Sequence, residues 1–227
     1  MTNPVKFVTS VVLATVLLGA GCADFRVQDL GKSQIDFVVD AHYRETQRLL
    51  RELTIKLYHR NPAELQKGSV ESVDIRIEQL FGMPGPMIFG ELNLVRGTEA
   101  MQLALNVNFS GDRVFALIAG LNGMIRHAYE YQAEFYMFDH FDQQKMYDSA
   151  RNVEIMVWRM NHGEASRPRP LIITNSRPGE AENLSFERLF GKLISIQDMV
   201  ALIASQENNR LINRVAHGTA SMVFFPL

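Results

Sequence analysis

The sequence predicts an all-α protein, and three stretches carry that prediction. Ile35, Val38, Val39, His42, Thr46, Leu49, Leu50, Leu53 and Leu57 recur at steps of three and four, which puts them on one face of a long amphipathic helix. Val114 to Ile125 is almost wholly apolar between Arg113 and Arg126. It is shorter than the about 17 to 25 residues that cross a bilayer, and so reads as a helix buried on most sides. Phe186, Leu189, Phe190, Leu193, Val200, Ile203, Leu211 and Val215 repeat the helical spacing near the end of the chain.

The elements follow in order. Ser33 caps the first helix, with Asp36 at the third position to complete a capping box. Asn61-Pro62 ends that helix and opens another turn, because Asn caps well and Pro suits the first helical position. Gly82-Met83-Pro84-Gly85-Pro86 is the strongest breaker and forms an internal loop after an N-terminal helical hairpin. Residues 88–109 admit two readings. Met101, Leu103, Leu105, Val107 and Phe109 alternate with polar or small residues as a strand does, with Leu92 and Leu94 in a partner strand of a minor β-hairpin. Ala100 to Leu105 are also good helix formers, with Thr98 as a start and Glu99 in its first turn, and helix is the preferred reading. Met146 to Met160 is a further helix with Trp158 near its end, and His162 to Asn183 is a long loop with a brief apolar segment at Leu171 to Ile173. The last helix starts near Asn183, and the apolar tail Met222 to Leu227 docks on the body.

The N-terminus reads differently. One basic side chain, Lys6, precedes an uncharged run from Phe7 to Ala23 whose apolar centre is Val11 to Leu18, and the chain's only cysteine, Cys22, follows small residues. Leu17-Leu18-Gly19-Ala20-Gly21-Cys22 resembles the lipobox of bacterial lipoproteins, with Gly19 where that family usually carries Leu and Leu18 one step earlier. The resemblance covers only these residues. It implies that 1–21 is a signal peptide removed on export, and that Cys22 becomes a lipidated N-terminus with a diacylglyceryl thioether and often an amide-linked acyl chain. Residues 22–32 would then be a tether and 33–227 a periplasmic domain. Ala23, rather than the aspartate associated with inner-membrane retention in enteric bacteria, implies delivery to the outer membrane.

After Cys22 the chain has no thiol, so a disulfide framework, a Cys-based metal site and a Cys nucleophile are all excluded. Roughly 205 remaining residues suffice for one core. Removing the leader takes Lys6 and no acid, which leaves 22 basic against 25 acidic residues and a formal charge of −3. No polybasic run follows the anchor, and this balance argues against a nucleic-acid partner.

The chain contains no G-x-S-x-G elbow, S-x-x-K, H-E-x-x-H, phosphate-binding glycine loop or EF-hand loop. His42 with Glu45 and His127 with Glu130 form two H-x-x-E spacings, and Glu134 follows one turn later. Facing each other, such helices would bind a metal, but di-metal bundles use Glu-x-x-His, and chance coincidence is the simpler account. His42, on the apolar stripe, reads as a hydrogen-bonded core histidine, and the expected sets of metal ligands and cofactors are empty. Tyr129 to Asp142 packs six aromatics, Tyr129, Tyr131, Phe135, Tyr136, Phe138 and Phe141, among four acids. Such a stretch is either a helix junction in the core or a groove for an apolar or cationic ligand. Helical spacing would put Tyr131, Phe135 and Phe138 on one side, and Tyr129 and Tyr136 on another. Gly191 marks close packing in the last helix or a groove, with packing preferred. Arg167, Arg169 and Arg177 give a local basic loop. The expectation is a non-enzymatic, membrane-anchored scaffold or accessory subunit of a cell-envelope process, met by a protein partner. A helical carrier comes second and a His/Glu metal-dependent enzyme third.

Overall fold

Ser33 begins the first helix as its hydroxyl predicts: it accepts from the Asp36 amide at 3.2 Å, and the Asp36 carboxylate accepts from the Ser33 amide at 2.6 Å. Each satisfies a donor that a helix start leaves unpaired. The computed structural model of the chain describes residues 32–136, 142–162, 170–176, 179–208, 212 and 223–227. Among these residues seven helices follow one another: α1 Gln34–Arg60, α2 Pro62–Leu65, α3 Val73–Phe81, α4 Gly97–Ala104, α5 Arg113–Ala128, α6 Gln143–Asn161 and α7 Ser185–Asn208, with a 3-10 turn at Gly90–Leu92. The architecture is all-α.

No strand occurs among the described residues, so the hairpin alternative over 88–109 is overturned. Asn93 and Leu94, both left-handed at φ 55° and 63°, turn the chain where a strand would run. Ala100, Met101 and Ala104 are buried at helical spacing. The apparent alternation of Met101 to Phe109 straddles the helix end at Leu105. The α1 stripe also narrows. Val39, Thr46, Leu49, Leu50, Leu53 and Leu57 are buried, but Val38 is exposed and His42 only half-buried.

Helix α5 is the centre. Asp112 caps it, accepting from the Phe115 amide at 2.9 Å, and every residue from Arg113 to Ala128 except His127 is buried. It packs on α1, α2, α3, α4 and α6. The approach of α4 depends on Gly120. A Cβ there would lie 2.6 Å from both the Gly97 carbonyl oxygen and the Met101 amide nitrogen, which are backbone atoms that cannot swing aside. Gly123, by contrast, has room, since its Cβ would meet the Met87 Cβ at 3.5 Å. Gly120→Ala should therefore destabilise by about 1 to 3 kcal/mol or more from overpacking, against alanine's about 1 kcal/mol advantage in helix propensity. Gly123→Ala should be neutral or slightly stabilising. Urea denaturation of the two variants checks the contrast.

Polar side chains fix what the apolar packing leaves open. Asn122 donates to the Leu80 carbonyl at 2.8 Å and accepts from Gln47 at 2.9 Å, while Arg126 donates to the Met83 carbonyl at 2.7 Å. The breaker cluster is thus held against α5 as an internal loop. Asn61 exchanges two hydrogen bonds with the backbone of Ile173, at 2.8 and 2.9 Å, and docks the short apolar segment whose Ile172 is buried. α7 runs antiparallel to α6, with Arg151 on Asp198 and Asn161 on Glu187. It is antiparallel to α1 as well, with Gln197 on Thr46 and Lys56 on Ser185. The tail docks as expected: Asn152 accepts from the Phe225 amide at 2.7 Å and donates to its carbonyl at 3.0 Å, and Phe224 is buried beneath Arg159. Met222, Leu211 and Val215 lie outside the described residues. One continuous core runs from Val39 to Phe224.

Candidate functional site

Cys22, with the rest of 1–31, lies outside the described residues, as do Arg167, Arg169 and Arg177 of the basic loop. The two H-x-x-E pairs do not form a site. Glu45 is engaged by Arg48 through two contacts of 2.7 Å. α5 ends at Ala128, so Glu130 is not one helical turn from His127; it sits at φ 51° and accepts from Lys145 at 2.7 Å. Glu134 accepts from the Tyr136 hydroxyl at 3.0 Å. Among the described residues no three His, Cys, Asp or Glu side chains converge on a metal position. His42 is not the hydrogen-bonded core histidine expected, because its buried Nδ1 has no hydrogen-bond partner. Burial favours its neutral form and lowers its pKa.

From Tyr129 to Tyr136, the described part of the aromatic stretch, the chain is not helical. The Tyr131 amide reaches back to the Arg126 carbonyl at 2.7 Å, and Glu130 and Tyr131 are both left-handed, at φ 51° and 59°. This closes α5 with the geometry that glycine usually supplies, at a cost in strain. The turn re-sorts the rings. Tyr129 and Phe135, assigned to opposite sides by helical spacing, are both fully buried and pack together, with centroids 5.8 Å apart and Tyr43 4.9 Å from Tyr129. Burial pushes the Tyr129 hydroxyl well above the ordinary tyrosine range. Tyr131 and Tyr136 stay half-buried. Phe138 and Phe141 lie outside the described residues.

Lys32, assigned to the tether by the sequence, belongs to the body. Its ammonium donates to buried Asp40, whose other oxygen accepts from the Phe135 amide at 2.8 Å, and it stands 4.9 Å from the Tyr136 ring centroid. Burial opposes the Lys32 charge, yet Asp40, Glu134 and Tyr136 together hold its pKa above the usual value. The start of the domain, the first turns of α1 and the aromatic turn are therefore one unit.

Two concavities accompany these residues. A cavity of about 360 Å³ has Met87 and Met124 as its floor and Arg96, Glu99, His127 and Tyr131 at its rim, with Pro226 and Leu227 of the tail as one wall. Burial, with nearby Lys145 and Arg96, lowers the His127 pKa against the opposing pull of Glu130. A more open groove of about 400 Å³ runs between α1 and α7 past Glu45, Leu49, Arg188 and Gly191. A Cβ at Gly191 would meet nothing within 4 Å, so this glycine lines a groove and the preferred packing reading is overturned. Neither concavity was visible in the sequence, because each is lined from segments far apart. The one local signal, dense aromatics beside His127, pointed near the first. Its arrangement of a mixed polar rim and an apolar floor suits binding of a small molecule. No helix among the described residues is long and apolar enough to cross a membrane. No protein-family model, no curated protein and no solved structure matches the chain.

Proposed function

We propose that the protein is a bacterial lipoprotein, held on the periplasmic face of the outer membrane through Cys22, whose helical body serves as a non-enzymatic scaffold or accessory subunit for a protein partner in the cell envelope. One observation carries the reading: the only cysteine stands at the end of an uncharged apolar leader, and ten residues later Lys32 is already pinned to Asp40 at the start of α1. That many residues, however arranged, reach at most about 35 Å, so a lipid on Cys22 keeps the body close to the leaflet. Two or more acyl chains make such attachment stable without a spanning helix. Cys22→Ser removes the sulfur that forms the thioether, and the variant is expected to leave the membrane fraction. Membrane retention of Cys22→Ser with its leader uncleaved would mean that Val11 to Leu18 acts as a signal anchor instead.

A second reading, a carrier for a small apolar or cationic ligand near Tyr129 to Asp142, has a specific observation in its favour: half-buried Tyr131 lines the cavity of about 360 Å³ beside His127. The buried pairing of Tyr129 with Phe135 favours the scaffold, since those rings fill the core and leave little aromatic surface for a ligand. A His/Glu metal-dependent enzyme ranks third, because its four residues have other partners or lie apart.

A further inference from the structure

The end of the α1/α7 pair from which the chain leads back to Cys22 differs from the rest of the surface. In the first turns of α1 the exposed residues are Gln34, Phe37, Val38 and Ala41, and no charged side chain is exposed before Arg44, because Asp36 and Asp40 are turned inward. Between Asp198 and Glu207, α7 carries no charged residue. The antiparallel register set by Gln197 on Thr46 and Lys56 on Ser185 brings these two stretches to the same end. Phe37, Val38, Met199 and Leu202 are there 45%, 43%, 48% and 44% exposed. Further along the same pair the outer positions include Glu45, Arg48, Glu52, Arg188 and Lys192, so the exposed apolar residues there, such as Ile55, stand among charges. Single exposed apolar residues are ordinary on a protein surface, but an uncharged cluster of four confined to one end is not.

We propose that this uncharged end is a second contact with the membrane, in which Phe37, Val38, Met199 and Leu202 enter the headgroup and acyl boundary of the leaflet that carries the lipid. The inference rests on the anchor at Cys22. Lys32, locked onto Asp40, fixes where the chain leaves the body, beside Phe37 and Val38 rather than at the charged end. The short reach from Cys22 then holds this end at a high effective concentration over the leaflet. Apolar side chains on a helix face enter such a boundary to a depth of about 5 to 10 Å, and Arg44 and Asp198, the exposed charges level with Met199, sit at the inner edge of the cluster where headgroups can meet them. The consequence is an oriented body: the membrane end is set by α1 and α7, and the far ends of the helices point into the periplasm for a partner.

The test uses the full lipidated chain in phosphatidylethanolamine/phosphatidylglycerol vesicles, with an environment-sensitive dye on Leu202→Cys or, as control, on Ile55→Cys. Ile55 is comparably exposed, at 42%, but lies about 25 Å further along α1 than Val38. Thioether-linked Cys22 does not take the dye, so each label is unique. The expected result is a blue-shifted emission at position 202 that nitroxide-bearing lipids largely quench, with position 55 quenched only by aqueous iodide. Iodide quenching of both labels alike, in vesicles from which the unsubstituted chain floats, would overturn the membrane contact and leave the anchor standing. Failure of the unsubstituted chain to float with vesicles would overturn the anchor and the contact together. Protection of position 202 that grows with protein concentration and ignores the lipid quencher would assign the surface to a second copy and overturn the proposal.

Discussion

Arg76→Ala is expected to cost about 3 to 5 kcal/mol of stability, because it breaks a buried ion pair by removing one partner. The guanidinium is fully buried, makes a forked contact with Glu91 at 2.6 and 2.9 Å, and lies 3.9 Å from the Phe115 ring centroid. Its Nε stands 3.3 Å from a buried oxygen of Asp112, which also accepts from the Tyr58 hydroxyl at 2.7 Å. Burial already raises the Asp112 pKa against its hydrogen bonds and the Arg76 charge, so deleting the arginine leaves a carboxylate that the site does not support. Asp112 is also the cap of α5, so the loss reaches the central helix. Arg76→Lys should recover little, since a point charge cannot serve Glu91 and Asp112 together. Urea denaturation reads both variants. A loss below about 1 kcal/mol for Arg76→Ala, the scale of a surface pair, would mean that this network does not hold α3, α1 and α5 together.

Phe135→Ala should cost a similar amount, about 3 to 5 kcal/mol, whereas Tyr136→Ala should cost about 1 kcal/mol. Phe135 is 1% exposed and fills the space between Tyr129 and the first turns of α1. Its neighbour Tyr136 is only half-buried, with its ring against Lys32 and its hydroxyl on Glu134. Thermal melts of the two variants, run beside a pull-down from envelope extracts, separate core from binding surface. Equal and severe destabilisation would make the whole stretch core. A stable Phe135→Ala that loses a partner would return the segment to the carrier reading.

The helices were legible because each announces itself locally. Ser33 with Asp36, Asn61-Pro62 and the three-and-four spacing of Leu49, Leu50, Leu53 and Leu57 need no distant partner to be read. Long-range pairing was not legible. Arg76 looks like an ordinary charge on a short amphipathic helix, and only Asp112, Glu91 and Phe115 arriving from later segments bury it. The aromatic stretch was mis-sorted because Glu130 and Tyr131 take left-handed conformations that neither residue type signals. A helical glycine's role is not legible from its own position: Gly120 permits contact between α4 and α5 while Gly191 lines a groove, and the difference lies in what stands opposite. The proposed anchor is a third kind of case, readable only as a local signal, since Cys22 would gain its chemistry from the small residues before it and from nothing in the fold.

The measurement that bears most directly on the account is the mass of the N-terminal peptide of the mature protein taken from membranes. Trypsin should release Cys22 to Arg26, with Cys22 as the first residue and the added mass of a diacylglyceryl group, with or without a further acyl chain. A peptide with Cys22 unmodified inside an uncleaved leader, or a mature chain that starts after Cys22, would contradict it.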